Sequence, residues 1–167
     1  LDSGLTLADL AAVMPGKPDG LILPKCNSAA DVQLLGHYLD ALEAREAIEA
    51  GRTRILPIAT ETAAALFALG SYVNAGPRLI GLSWGAEDLA AAVGASTNRR
   101  ADGAFEDLFR LARSLCLAGA AAADVLPVDT VFTDFRDMAG LEAEAAAARR
   151  AGFRAKMAIH PGQVETI

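Results

Sequence analysis

The chain has 167 residues, of which 53% are hydrophobic and 22% charged, the make-up of one folded domain with a core of its own rather than of a disordered segment. Its net charge of −6 argues against a nucleic-acid partner, whose phosphates call for a basic surface, while local basic pockets for a small phosphorylated ligand stay compatible with it. No apolar run reaches the roughly 18–20 residues of a membrane span and no secretory leader is read, so neither a membrane partner nor export is expected.

Leu5, Leu7, Leu10, Ala11 and Val13 give a loosely helical lead-in that Pro15-Gly16 ends. Pro18-Asp19-Gly20 turns into a first strand at 21–23, closed by Pro24-Lys25. Ser28 or Asn27 can cap the next helix, and Asp31 suits its first turn. That helix is expected to reach about Ala50, with Val32, Leu35, Leu39, Leu42 and Ile48 at helical spacing, and to end at Gly51. His37 inside it reads as an ordinary surface or half-buried histidine. A strand at 54–60 and a helix at 61–72 follow, then a strand at 79–84 and a helix at 86–94. The polar stretch 94–103, GASTNRRADG, is longer than an ordinary strand-to-helix connection, and such loops often bind or cover ligands. Arg99 and Arg100 there suit an anionic group or simply solvent. A long apolar helix is expected at 105–123. Arg113 lies on it among Leu111, Ala112, Leu115 and Cys116, so it needs a partner, either a structural acid or a ligand. A strand at 127–133 carries Asp129 in its middle. A helix at 141–150 ends at Gly152, and a last strand at 155–159 closes at His160-Pro161. Cys26 and Cys116 give no disulfide framework and read as small core residues in a reducing compartment.

Strand and helix alternate five times, which builds a parallel sheet, because a right-handed crossover needs an intervening helix. Five such units make either an open doubly wound sheet or most of a (β/α)8 barrel. No glycine-rich phosphate loop follows the first strand, which weakens the nucleotide-binding alternative. Two acids stand at strand ends: Glu61 after the second strand, and Asp88, beside Glu87, after the third. Neighbouring strands lie about 5 Å apart, so the pair would sit side by side where barrel enzymes keep their catalytic groups. Two carboxylate ligands suit a hard cation such as Mg2+, which fills its other positions with water and substrate. Either acid alone could instead serve a helix N-terminus.

Six motifs occur in order: Leu23-Pro24-Lys25, Thr60-Glu61-Thr62, Gly85-Ala86-Glu87-Asp88-Leu89, Ala112-Arg113-Ser114, Val128-Asp129-Thr130 and His160-Pro161-Gly162-Gln163. Together, over nearly the whole chain, they resemble the HpcH/HpaI aldolase and citrate lyase beta-subunit family, in its CoA-thioester branch. The resemblance implies a TIM barrel, here an incomplete portion of about strands four to eight, forming a single partial-barrel domain over residues 1–167. It implies Glu61 and Asp88 as the two Mg2+ ligands, with Mn2+ as a substitute. Lys25 is expected to be cofactor-binding, with CoA as part of the substrate, and Arg113 and Asp129 are expected among the catalytic residues. Glu87 and His160 match further recurrent positions. A homo-oligomer, trimer or hexamer, in the cytoplasm is implied as well. The family's first three strands, with a substrate-binding arginine and an acidic motif, have no counterpart in the sequence, nor has a C-terminal segment that in related lyases supplies a catalytic acid to a neighbouring subunit. The sequence is therefore expected to be a fragment or a partly recorded chain, incomplete as an enzyme.

The reaction so implied is Mg2+-dependent cleavage of a hydroxyacyl-CoA thioester, of citryl-CoA or malyl-CoA type, to acetyl-CoA and a 2-oxo acid. A base takes the β-hydroxyl proton, the carbon–carbon bond breaks in retro-aldol fashion, and a positive group such as Arg113 stabilises the enolate. Two other readings stay open: a Mg2+-dependent aldolase on free hydroxy-oxo acids, and a barrel subunit without turnover.

Overall fold

The computed structural model describes Leu1 and residues 3–167. Helix α1 (Thr6–Val13) and a 3-10 turn (Met14–Gly16) lead into strand β1 (Gly20–Leu23). Helix α2 (Ala29–Arg45) starts at Ser28, whose Oγ accepts the Ala30 N–H, with Asp31 in its first turn. It stops five residues short of the expected end. Ala47 takes a left-handed φ of 50°, and the buried Glu43 carboxylate accepts the backbone N–H groups of Gly51 and Thr53 at 2.7 and 2.8 Å. The turn into strand β2 (Arg54–Pro57) is thus wound round a carboxylate.

The helix expected at 61–72 is broken. Helix α3 (Ala63–Leu66) lasts one turn, and a 3-10 segment (Leu69–Asn74) follows. Its groups serve other elements: Ser71 Oγ accepts the Ala29 N–H at 3.0 Å, Tyr72 Oη donates to Cys26 Sγ, and the Asn74 carbonyl accepts from Gln33. These tertiary bonds outweigh the helical propensity of the alanines. Phe67, left at the break, is 94% exposed.

Strand β3 (Gly81–Ser83), helices α4 (Ala86–Val93) and α5 (Asp107–Ala122), strand β4 (Leu126–Asp129), helix α6 (Met138–Ala151), strand β5 (Ala155–Lys156) and a 3-10 turn (Pro161–Gln163) complete the chain. All regular pairings are parallel. β1 pairs with β2, from Gly20 opposite Arg54 to Leu23 opposite Pro57, and β4 lies between β3 and β5. Single parallel bridges, Ile55 to Leu79 and Ile58 to Ser83, join the two-stranded and three-stranded sheets. The spatial order of the strands therefore follows the order of the chain. A doubly wound sheet reverses that order at its switch point; among the described residues there is no reversal.

The strands are shorter than their apolar runs. The run at 127–133 pairs only as far as Asp129, so that acid stands at the end of a strand and not in its middle. The core fills with Ile55, Leu82, Trp84, Leu89, Phe109 and Cys116 from the strands and the helices over them, and Cys26 is buried too. Burial pushes the Cys26 and Cys116 thiols up to about 11 and about 12, so both stay protonated core groups. Among the described residues no helix is long and apolar enough to cross a membrane.

Candidate metal centre

Three side chains converge from the carboxyl ends of three successive parallel strands. Glu61 follows β2 and is only 7% exposed. The hydroxyl of Thr62, not Glu61, caps α3 by accepting the Ala65 N–H at 3.2 Å, so the capping alternative for Glu61 falls away. Its side chain turns instead toward β1, and Oε2 accepts the backbone N–H of Lys25 at 2.5 Å. Lys25 holds a left-handed φ of 52°, an uncommon conformation for a residue other than glycine, and this aims its N–H at Glu61. Asp88 comes from the first turn of α4, after β3, and its Oδ1 is ion-paired with the Lys25 ammonium.

Gly85 makes the convergence sterically possible. A Cβ at that position would stand 2.9 Å from Glu61 Cγ, 3.2 Å from its Oε1 and 3.3 Å from Ile58 Cγ2. The Gly85 N–H donates to Thr60 Oγ1 at 3.1 Å, fixing the turn against the end of β2. Glu87, one residue before Asp88, points elsewhere: its Oε1 accepts from Asn98 Nδ2 at 3.1 Å.

The electrostatics of the three groups are linked. Burial raises the Glu61 carboxyl above the usual carboxylate range, the Lys25 N–H opposes that rise, and the charge of Asp88 adds to it. The hydrogen bond from the Lys25 ammonium holds Asp88 below its ordinary value, and the same contact raises Lys25. Two carboxylates brought this close ask for positive charge, and in this structure the ammonium supplies it. Among the described residues no group of three or more His, Cys, Asp or Glu side chains is placed to hold a metal ion. Glu61 and Asp88 offer two hard oxygen donors, a set that suits Mg2+ with its waters and ligand oxygens better than zinc.

Arg113 and Asp129 form a separate network. Asp129 is 1% exposed, and its Oδ1 accepts from Arg113 Nε at 3.0 Å and from Trp84 Nε1 at 2.7 Å. Its Oδ2 takes Lys156 Nζ at 3.1 Å. Lys156 also reaches Glu144, which holds Arg99, whose guanidinium lies 3.8 Å from the centre of the Phe105 ring. Burial pushes the Asp129 carboxyl up, but Arg113, Lys156 and the Trp84 N–H outweigh it and hold it below the usual carboxylate range. Arg113 thus finds the structural acid that its place on an apolar helix required. Trp84 links this network to the metal centre, since it immediately precedes Gly85. Arg99 and Arg100 are both paired internally, Arg100 with Glu106 and Asp107.

Lys156, Trp84 and Gly85 were not singled out from the sequence as partners of the site. A lysine inside the last strand run was the one available signal, because burying a lysine requires an acid. The His160-Pro161-Gly162-Gln163 motif is a structural knot: His160 Nδ1 accepts the Gly162 N–H, and Gln163 Nε2 donates to the Phe132 carbonyl in the loop after β4.

The family model that matches residues 1–161 is that of HpcH/HpaI aldolase/citrate lyase. The chain belongs to this family. Within the family it is 35% identical over 159 residues to the citrate lyase subunit beta-like protein of Mycobacterium tuberculosis, covering 95% of this chain and 52% of that one. It is 33% identical over 169 residues to the (3S)-malyl-CoA thioesterase of Cereibacter sphaeroides, covering 99% of this chain and 52% of the relative. The crystal structure of the protein CitE from Mycobacterium tuberculosis in complex with magnesium, acetoacetate and coenzyme A matches with a TM-score of 0.77 at 35% identity, over 95% of this chain and 54% of that one. The chain spans about half the length of the curated relatives it matches.

Proposed function

We propose that this chain carries the metal-binding sector of a Mg2+-dependent carbon–carbon lyase acting on a hydroxyacyl-CoA thioester, within a partial (β/α)8 barrel. The observation that carries the reading is the convergence of Glu61, Asp88 and Lys25 from successive parallel strand ends. Strand order without reversal supports the barrel, and the magnesium and coenzyme A bound by the CitE relative support the ligand class.

When bound, Mg2+ supplies a hard Lewis acid held by Glu61 and Asp88. Glu61, held by the Lys25 N–H and walled by Gly85, is a preset ligand with little freedom to reorient. Asp88, half exposed on the first turn of α4, is the ligand that faces incoming acids. Lys25 adds positive charge beside them, for a carboxylate of the ligand. Arg113 and Asp129 act from behind: through the Trp84 indole they fix the residue before Gly85, and so the wall against which Glu61 rests. A thioester ligand of malyl-CoA or citryl-CoA type and a homo-oligomeric, cytoplasmic protein belong to the same proposal.

The test is a thermal shift of the purified protein with Mg2+, with and without oxaloacetate. A ligand that binds only the native state adds about 2.7 kcal/mol at a hundred times its Kd. A rise that needs both metal and oxo acid is expected, and Glu61→Gln or Asp88→Asn is expected to remove it. If both variants keep the full metal-dependent rise, the ligand assignment is wrong. Cleavage assays with malyl-CoA and with a free hydroxy-oxo acid then separate a thioester lyase from an aldolase.

A further inference from the structure

We infer that Lys25 is an exchangeable counter-ion: its ammonium occupies Asp88 until a divalent cation arrives, and then turns to bind a carboxylate of the incoming oxo acid. The inference rests on the Mg2+ site proposed above.

Three observations carry it. First, the Lys25 side chain contacts the more exposed of the two acids. Its side chain is 62% exposed and that of Asp88 46%, whereas Glu61 is buried, so the pair can part without opening the core. Second, the backbone of Lys25 is anchored independently of its side chain. The Lys25 N–H stays on Glu61 Oε2 whichever way the ammonium points, and the left-handed φ of 52° sets where the side chain leaves the chain. The ammonium therefore swings from a fixed root beside the metal position. Third, the charge balance changes sign. Glu61, Asp88 and Lys25 together carry one net negative charge when both acids are ionised. A divalent cation turns that into one net positive charge, which repels the ammonium from Asp88 and attracts an anion to both. An exposed ion pair is weak enough to be exchanged.

The exchange implies an order of binding, cation before acid, and gives Lys25 opposite effects on the two. In the Lys25→Gln variant, Asp88 loses its internal competitor. Calorimetric titration is expected to show Mg2+ binding tightened by about twofold to fivefold. The affinity of the Mg2+-loaded protein for oxaloacetate is expected to weaken by about tenfold or more. Lys25→Arg, which keeps the charge on a longer fork, is expected to restore most of the oxaloacetate affinity. Coenzyme A, titrated separately, is expected to bind equally to wild type and Lys25→Gln. A fall in both affinities in Lys25→Gln would mean that Lys25 merely supports the site, and it overturns the inference. So does an unchanged affinity for oxaloacetate, or a loss confined to coenzyme A. Absence of Mg2+ binding by the wild type is a different failure, which strikes the metal assignment itself.

Discussion

At the scale of single residues, the proposed metal centre depends on an atom that is missing. Glu61 lies against the backbone at Gly85, and a methyl group there would overlap its Cγ at 2.9 Å. Gly85 has an ordinary extended backbone, φ −130°, so its requirement is steric and not conformational. Gly85→Ala is expected to displace the Glu61 carboxylate and weaken Mg2+ binding by about tenfold, read by calorimetry. Gly94, at the other end of the same helix, is the control. It holds a left-handed φ of 71° with open space around it, so Gly94→Ala is expected to lower stability by about 1 kcal/mol and leave Mg2+ affinity unchanged. Equal effects of the two variants on metal binding would show that Gly85 matters only as part of the turn. The sequence exposed the acids of this site and hid the glycine's role. Carboxylates at strand ends signal themselves by type and position, whereas a close approach between β2 and the turn before α4 exists only once both strands are paired.

At the scale of elements, what was legible was whatever one element decides by itself. The order of five strands and the amphipathic spans of α2 and α5 follow from local periodicity, helped in α2 by the Ser28 cap and by Asp31 in its first turn. From sequence the segment 61–72 reads as one helix because its alanines favour a helix locally. Its actual path is set by partners at long range, Ala29, Cys26 and Gln33. α5 contributes to the same outcome through Gly119, where a Cβ would meet the Leu69 carbonyl oxygen at 3.2 Å and Leu82 Cδ1 at 3.5 Å. A glycine inside a helix ordinarily costs about 1 kcal/mol relative to alanine, so its presence here marks the close passage of the 3-10 segment. Gly119→Val is expected to push that segment away and destabilise the protein by about 1–3 kcal/mol, measured as a lower urea midpoint. A variant as stable as wild type would mean that α5 and the 3-10 segment separate without loss.

At the scale of the whole molecule, the proposed metal centre sits at the carboxyl ends of the strands and a buried ion pair ties their amino ends. Glu43 of α2 holds Arg78, which precedes β3, through contacts of 2.6 and 2.8 Å, and it accepts the N–H of Thr53, which precedes β2. Arg78 adds a bond to the Thr53 carbonyl and pairs with Asp40. Removing one partner of a buried pair leaves a charge without compensation, so Glu43→Gln is expected to cost about 3 kcal/mol at neutral pH. The pH dependence identifies the pair more sharply. The Arg78 guanidinium, with the Thr53 and Gly51 N–H groups, holds the Glu43 carboxyl down at about 2, against an ordinary value of 4.5. A carboxyl depressed in the folded state stabilises above its unfolded value and loses that contribution as pH falls toward its folded value. The stabilisation is therefore fully present above about pH 4.5 and lost between there and about pH 2. A protonated glutamic acid and a glutamine are nearly the same shape, so the urea midpoints of wild type and Glu43→Gln are expected to differ at pH 6 and to converge as the pH approaches 2. Carboxylates remote from Arg78 titrate alike in both proteins and cancel in the difference. Midpoint curves that stay parallel down to pH 2.5 would mean that the Glu43–Arg78 pair does not govern the acid limb, and that the amino ends of β2 and β3 are held by packing instead of charge.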